Sequence, residues 1–155
     1  MIYTIPKTYF LVSGSSEGYT RLNSFDGALL NAGIGNTNLV KVSSIIPPRC
    51  KEIQPITLPE GTIVPTAYAF ISSDIPGEII SAAVAVALPK DDDRPGLIME
   101  YSARGHKEEI ELIARNMASQ GMKMREQETR EIRSASAEYK VKKIGAAFAA
   151  VILWQ

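Results

Sequence analysis

The stretch that decides the fold of this sequence is Asn36-Thr37-Asn38-Leu39-Val40-Lys41-Val42-Ser43-Ser44-Ile45-Ile46-Pro47-Pro48. Residues 39–46 are rich in Val, Ile and Leu, which predicts a buried strand between a Gly-rich turn and a double proline. Two adjacent serines interrupt this apolar run, and each hydroxyl needs a hydrogen-bond partner once it is buried. On composition alone, the pair favours two ordinary strand serines that bond to their neighbours.

Length and charge limit the class of protein. With 155 residues, the chain is expected to fold as one domain, 1–155, around a substantial core. Seventeen basic residues balance seventeen acidic ones, so there is no electrostatic case for a nucleic acid or an anionic membrane as partner. The longest apolar run, residues 144–154, is well short of the ~20 residues that cross a bilayer, and we see no signal peptide.

The single cysteine and the single histidine limit the chemistry further. Cys50 can form no internal disulfide and cannot build a cysteine-based metal site. This usage fits a reducing cytoplasm, which we take as the expected location. His106 is the one histidine, so clusters of histidine ligands are excluded and we expect no metal. Phosphate-binding loops, dinucleotide fingerprints and nucleophile elbows are also absent from the sequence.

The hydrophobic pattern predicts many strands and two helices. We expect a loop at 14–18, helices at 25–32 and 106–120, and strands at 8–13, 39–46, 62–64, 67–71, 79–88, 96–101, 130–141 and 144–154. Ser24 is the expected N-cap of the first helix, and Gly121 the expected stop of the second. The alanines of 79–88 would suit a helix equally well. The inventory indicates an α+β protein in which helices cover a sheet.

Two carboxylates are candidates for a functional role. Glu100 follows the apolar residues Leu97-Ile98-Met99, so it is expected at the end of a short strand. There it is either solvated at the rim or desolvated with a raised pKa, and the rim is the safer default. Asp26 is expected in the first turn of the first helix, where stabilising the helix dipole is its ordinary role.

Several motifs taken together resemble the family of pyruvoyl-dependent arginine decarboxylases over nearly the whole chain. Any one of them alone would be weak. They are Phe25-Asp26-Gly27-Ala28-Leu29-Leu30-Asn31-Ala32-Gly33-Ile34-Gly35-Asn36, Asn38-Leu39, Ser43-Ser44-Ile45, Pro47-Pro48, Pro65-Thr66-Ala67-Tyr68, Ser73-Asp74-Ile75-Pro76-Gly77-Glu78 and Gly96-Leu97-Ile98-Met99-Glu100-Tyr101.

The resemblance implies that the chain makes its own cofactor. The Ser44 hydroxyl would attack the Ser43 carbonyl, and the chain would break into a β subunit, 1–43, and an α subunit, 44–155. A covalent pyruvoyl group derived from Ser44 would then serve as the electron sink, with no metal and no PLP. The implied fold is an αββα sandwich. The implied assembly is a trimer, or a multiple of it, with active sites between neighbouring subunits.

The resemblance also implies roles for individual residues. Ser44 and Glu100 would be catalytic, with Glu100 as the proton donor, and Asn38 would assist at the Ser43–Ser44 cleavage site. Asp26 would bind the guanidinium of arginine, which the enzyme would convert to agmatine and carbon dioxide for polyamine synthesis. Two alternatives stay open: the same cofactor acting on lysine or ornithine, and an uncleaved, non-catalytic trimeric binding protein.

Overall fold

The computed structural model of the protein describes residues 4–155. Within them lie two helices, α1 (Arg21–Asn31) and α2 (Lys107–Met124). The strands are β1 (Thr8–Glu17), β2 (Asn38–Lys41), β3 (Ile45–Ile46), β4 (Lys51–Glu52), β5 (Ile63–Ser73), β6 (Ile79–Pro89), β7 (Gly96–Arg104), β8 (Thr129–Lys140) and β9 (Gly145–Trp154).

The strands form two sheets. The first sheet has the order β2-β5-β9-β1-β4, and the second has the order β3-β7-β6-β8. Pairing is antiparallel except at β1–β4 and β2–β5, which are parallel. Two sheets with two helices confirm the predicted α+β class.

Three apolar clusters place the helices and sheets relative to one another. One cluster draws on both sheets, with Tyr9 and Val151 from the first packed among Val84 and Ile98 from the second. Another joins α1 to β1 and β9 of the first sheet, and the third joins α2 to β6 and β7 of the second. The sheets therefore pack against each other, and each has a helix on its other face.

The strands β6 and β9 lie at the centre of this packing. Apart from Ile79 and Trp154, every residue of the two strands is buried. A strand covered on both faces reads as a continuous apolar run, which explains why residues 79–88 show no alternation. The predicted strands at 79–88 and 144–154 are confirmed, and the helical alternative for 79–88 is wrong.

Two glycines lie where the sequence predicts a loop and a helix end, and both predictions are wrong. Gly14 lies within β1, which pairs with β9 from Thr8 to Glu17 and leaves no loop at 14–17. A Cβ on Gly14 would come within 2.4 Å of the Ala28 carbonyl oxygen on α1. Gly121 is buried inside α2, where a Cβ would lie 2.1 Å from Leu97 Cδ2. Both glycines permit a helix to approach its sheet closely, which a sequence pattern does not distinguish from a turn.

Helix α1 begins earlier than predicted. Its N-cap is Thr20, whose hydroxyl accepts a hydrogen bond from the Asn23 backbone N–H at 3.1 Å. Ser24, the predicted cap, is buried inside the helix and donates its hydroxyl to the Arg21 carbonyl at 2.6 Å. Asp26 consequently lies in the middle of α1 and not in its first turn, so it is too far along the helix to act as a capping residue.

Candidate active site

The Ser43–Ser44 pair lies where the chain crosses from one sheet to the other. Strand β2 in the first sheet ends at Lys41, and β3 in the second sheet begins at Ile45. The prediction of one buried strand over 39–46 is therefore wrong. Ser43 is exposed and Ser44 is half-buried, because neither sheet covers the crossing on both sides.

Backbone hydrogen bonds hold the crossing at both ends. The Val42 N–H donates to the Thr66 carbonyl of the first sheet at 3.1 Å. The Ile98 N–H of the second sheet donates to the Ser44 carbonyl at 2.7 Å. The Ser43–Ser44 peptide lies between these two anchors, and within residues 4–155 neither serine hydroxyl takes part in a side-chain hydrogen bond.

Glu100 projects from β7 into the layer between the sheets. Its neighbours on the same face of β7 define this direction: Ile98 belongs to the inter-sheet core, and the Ser102 hydroxyl donates to the Phe70 carbonyl of the opposite sheet at 3.1 Å. Because β7 continues to Arg104, Glu100 lies in the middle of the strand. The expectation that it ends the strand is wrong, since pairing with β6 continues as far as Arg104.

The Glu100 carboxyl is only partly satisfied. Its side chain is 30% exposed, and Oε1 lies 3.5 Å from Lys41 Nζ. Its Oε2 is buried, with no hydrogen-bond partner among residues 4–155. Burial raises the pKa of Glu100, and the nearby Lys41 ammonium opposes that rise. The sequence favoured the solvated rim as the default, and this is wrong for Oε2, which is withdrawn from solvent.

Lys41 belongs to this site, although nothing in the sequence pattern singles it out. Its ammonium lies 4.7 Å from the centroid of the Tyr68 ring, within the range of a cation–π contact. A lysine at the end of an exposed edge strand is common. Its contact with Glu100 depends on the pairing of β2 with β5 and of β3 with β7, which the sequence pattern does not reveal.

Asn38 is the first residue of β2. Its side-chain Nδ2 donates to the Gly61 carbonyl at 3.1 Å, and its backbone N–H donates to the Thr62 carbonyl at 2.7 Å. The amide group is therefore engaged with the turn before β5 and not with the two serines. Its role in cleavage remains a prediction.

Asp26 lies on the exposed surface of α1. Among the described residues, no hydrogen bond or ion pair joins its carboxylate to Lys41, Glu100 or the serines. Leu22 and Leu30, one helical turn on either side of it, are 74% and 55% exposed. Two exposed leucines therefore flank Asp26 along α1, and no described residue of this chain buries them.

The site is an open corner and not a closed pocket. Around it, Val40, Ile45, Ile63 and Phe70 leave substantial parts of their side chains in solvent. A cleft of about 470 Å³ exists elsewhere, lined by Glu52, Arg115 and Arg133 among others, and it shares no residue with the corner. We place the candidate site at the corner because the partly buried carboxyl with a shifted pKa is there.

Neither a metal cluster nor a membrane span belongs to the part of the chain that the structure describes. Among residues 4–155, no three His, Cys, Asp or Glu side chains are grouped so that they could hold a metal ion. Over the same residues, no helix combines the length and the hydrophobicity that crossing a membrane requires.

These features define a class: an α+β protein with a partly buried carboxyl two residues along β7 from the backbone anchor of a Ser-Ser pair, an arrangement suited to acid–base chemistry. Comparison with known proteins identifies the family. Residues 8–155 match the family model described as "Pyruvoyl-dependent arginine decarboxylase (PvlArgDC)". The chain belongs to this family, whose name states its dependence on a pyruvoyl group, and the predicted resemblance is confirmed.

Individual relatives agree over nearly the full chain. The chain is 54% identical over 152 residues to the pyruvoyl-dependent arginine decarboxylase of Methanocaldococcus jannaschii, covering 98% of this chain and 92% of the relative. It is 51% identical to the protein of that name from Methanococcus aeolicus, with the same coverage. Identity to the Pyrococcus abyssi protein of that name is 45% over 157 residues, covering 99% of each chain.

Proposed function

We propose that this protein is a pyruvoyl-dependent arginine decarboxylase that converts L-arginine to agmatine and carbon dioxide. Family membership and the names of the relatives support the reaction. The observation that carries the proposal in this chain is the position of Glu100, whose half-buried carboxyl lies on β7 two residues from the Ile98 anchor of Ser44.

The proposed cofactor arises from the Ser43–Ser44 peptide. The Ser44 hydroxyl oxygen attacks the Ser43 carbonyl carbon, and the peptide bond becomes an ester. Elimination removes the Ser44 α-proton to water and breaks the bond between Ser44 Cβ and its oxygen, which leaves Ser43 with a free carboxylate and residue 44 as a dehydroalanine. Water then releases ammonia from residue 44 and leaves the pyruvoyl group. A crossing held at Val42 and Ser44 supports this step, because it keeps the peptide oriented between two fixed points.

The position of residue 44 should be retained after cleavage, as a reactive group requires. Each new chain end would keep its own anchors, since β1 and β2 pair within the first sheet and β3 pairs within the second. The pyruvoyl group supplies an electron sink for the carbanion left by decarboxylation. Glu100 then delivers a proton to the substrate α-carbon, and its raised pKa keeps the carboxyl protonated to higher pH than an exposed glutamate.

The proposed assembly is an αββα sandwich that forms trimers, with Asp26 reaching the active site of a neighbouring subunit. The three apolar clusters support the layer order. The exposed Leu22 and Leu30 support an interface along α1, since burying them would carry Asp26 toward a second chain. There its carboxylate would bind the substrate guanidinium through charge-assisted hydrogen bonds. We also propose that the reaction supplies agmatine for polyamine synthesis and that the enzyme is cytoplasmic.

Mass spectrometry under denaturing conditions tests the cofactor. We expect two fragments separated at Ser43–Ser44, the larger with a blocked N-terminus, and an intact chain in Ser44→Ala. Ser43→Ala is the matched control, because it retains the attacking hydroxyl and should still cleave. An intact wild-type chain would favour the non-catalytic binding protein.

Release of carbon dioxide from labelled amino acids tests the substrate. We expect turnover of L-arginine and little of L-lysine or L-ornithine, because an ammonium cannot make the bidentate contact of a guanidinium. Faster turnover of lysine or ornithine would identify the alternative substrate.

Mixed oligomers test the shared active site. Asp26→Asn and Glu100→Gln should each be inactive or nearly so alone, and co-assembly should restore part of the activity if the two residues come from different chains. Lack of recovery in verified mixed oligomers would place both residues in the same chain.

A further inference from the structure

The contact between Lys41 and Glu100 joins the two sheets at the candidate site. Lys41 ends β2 in the first sheet, and Glu100 lies in β7 of the second. The ammonium lies 3.5 Å from Oε1, while Oε2 is buried without a partner among residues 4–155. The two oxygens of one carboxyl therefore have different surroundings.

Two features hold the Lys41 ammonium in place. The Tyr68 ring lies 4.7 Å from it on the side of the first sheet, and the ring itself packs against Phe25 and Phe148. The backbone after Lys41 is fixed by the hydrogen bond from the Val42 N–H to Thr66. The lysine is thus restrained at its backbone by the first sheet and at its ammonium by the Tyr68 ring.

Other charged groups do not face Glu100 from the strands around it. Residues 45–46 of β3 and 79–89 of β6 contain no ionisable side chain, and Tyr68 is the one ionisable residue of β5. On β7 itself, the Arg104 guanidinium pairs with Glu78 at 3.0 Å, and the Tyr101 ring packs on the α2 side of the sheet. The ionisable side chains of α2 lie beyond that opposite face. Among the described residues, Lys41 is the charge that acts on Glu100.

We infer that Lys41 is a positioning residue that holds Glu100 by Oε1 and so assigns the transferable proton to Oε2. This rests on the proposed role of Glu100 as proton donor. Negative charge is most stable on the oxygen nearest the ammonium, so the protonated carboxyl carries its hydrogen on the other oxygen. Because Lys41 favours the ionised carboxyl, it also limits how far burial raises the pKa of Glu100.

The first test measures titration and does not require activity. In the Ser44→Ala chain, the Glu100 carboxyl is followed by carbon-13 NMR as the pH is varied, with Glu100→Gln used to assign the signal. We expect Lys41→Met to move the midpoint to higher pH and Lys41→Arg to keep it near the parent value. Lys140→Met is the matched control, because it removes the same charge from β8, which is separated from β7 by β6. An unmoved midpoint in Lys41→Met would overturn the inference.

The second test uses the pH dependence of kcat in the cleaved enzyme. Because Glu100 must be protonated to donate, activity falls as pH rises through its pKa. Lys41→Met should move this basic limb to higher pH and lower the maximal kcat, and Lys41→Arg should restore both. A lower kcat with an unmoved limb would mean that Lys41 only supports the fold, and would count against the inference.

The two tests separate this inference from the proposed function. A moved NMR midpoint in a protein that does not decarboxylate arginine would keep the Lys41–Glu100 relation and remove the proposed reaction. An active arginine decarboxylase in which Lys41→Met leaves the Glu100 titration midpoint unchanged would keep the proposed reaction and remove the Lys41–Glu100 relation.

Discussion

Two glutamates of this protein are held in opposite ways. At the junction of β8 and β9, the Glu17 carboxylate accepts the backbone N–H groups of Lys142, Lys143 and Ile144, the last at 2.8 Å. The neighbouring Tyr139 hydroxyl also acts to lower the pKa of Glu17. At the corner between the sheets, Glu100 has one charged neighbour and one buried oxygen without a partner.

The two pKa shifts follow from this difference. Burial acts to raise the pKa of Glu17, but the donors around its carboxylate together outweigh it and hold the pKa below the ordinary value. At Glu100, burial prevails and the pKa is raised. A carboxylate surrounded by donors stabilises the fold, whereas one that lacks donors weakens the fold and remains available for proton transfer.

Replacing Glu100 should have the largest effect on activity. We expect Glu100→Gln to cleave normally and to lose about 100-fold or more in kcat, the usual scale for removing a general acid. Cleavage is followed by mass spectrometry and turnover by release of carbon dioxide. Full activity in this variant would remove Glu100 from the donor role.

Replacing Glu17 should affect stability and not the chemistry. Glu17→Gln loses charge-assisted hydrogen bonds, and we expect a loss of about 1–2 kcal/mol after allowance for solvent screening. For a chain of this size, that corresponds to a fall of roughly 2–8 °C in Tm by calorimetry. The exposed Glu60 serves as control, since Glu60→Gln should leave the Tm unchanged. A loss of kcat without a change in Tm would contradict the structural role of Glu17.

The pH dependence of stability should differ in sign between the two variants. Because the pKa of Glu17 is lowered when the chain folds, its contribution is present above the ordinary pKa of 4.5 and is lost as pH falls through the folded value. The raised pKa of Glu100 has the opposite effect: its stabilising contribution is present below 4.5 and is lost as pH rises through the folded value.

Urea unfolding at several pH values measures this difference. The penalty of Glu17→Gln should shrink in acid. Glu100→Gln should become more stable than the wild type as pH rises toward neutrality. Parallel pH profiles for the two variants would contradict the contrast between these carboxyls.

The smallest effect is expected at Tyr139. Burial and the neighbouring Glu17 raise the pKa of Tyr139 to about 12, so its hydroxyl stays protonated well above neutral pH. Tyr139→Phe removes this hydroxyl from beside Glu17, and we expect a loss of about 0.5–1 kcal/mol in the free energy of unfolding. In the Glu17→Gln background the same change should cost less, which a double-mutant cycle measures.

Much of the fold could be predicted from local pattern. The central strands were found because Ile79–Pro89 and Gly145–Trp154 are apolar throughout, and most element types agree with the structure. The errors at Gly14, Ser24 and Gly121 arise where tertiary contacts decide the local conformation. Those over residues 39–46 and at Glu100 arise where strand pairing decides it. The strands predicted at 62–64 and 67–71 are one strand, β5, which continues through Pro65 at its pairing with β2.

The sequence by itself determined the family, through motifs spread along the chain, and the candidate residues Ser44, Glu100, Asn38 and Asp26. Only the tertiary structure decided that the two serines lie at a crossing between sheets, that Glu100 faces the inter-sheet layer, and that Lys41 contacts it. The physical reason is the separation along the chain over which each interaction acts. Apolar periodicity and capping act over a few residues, whereas strand pairing and desolvation join residues that are distant in the chain.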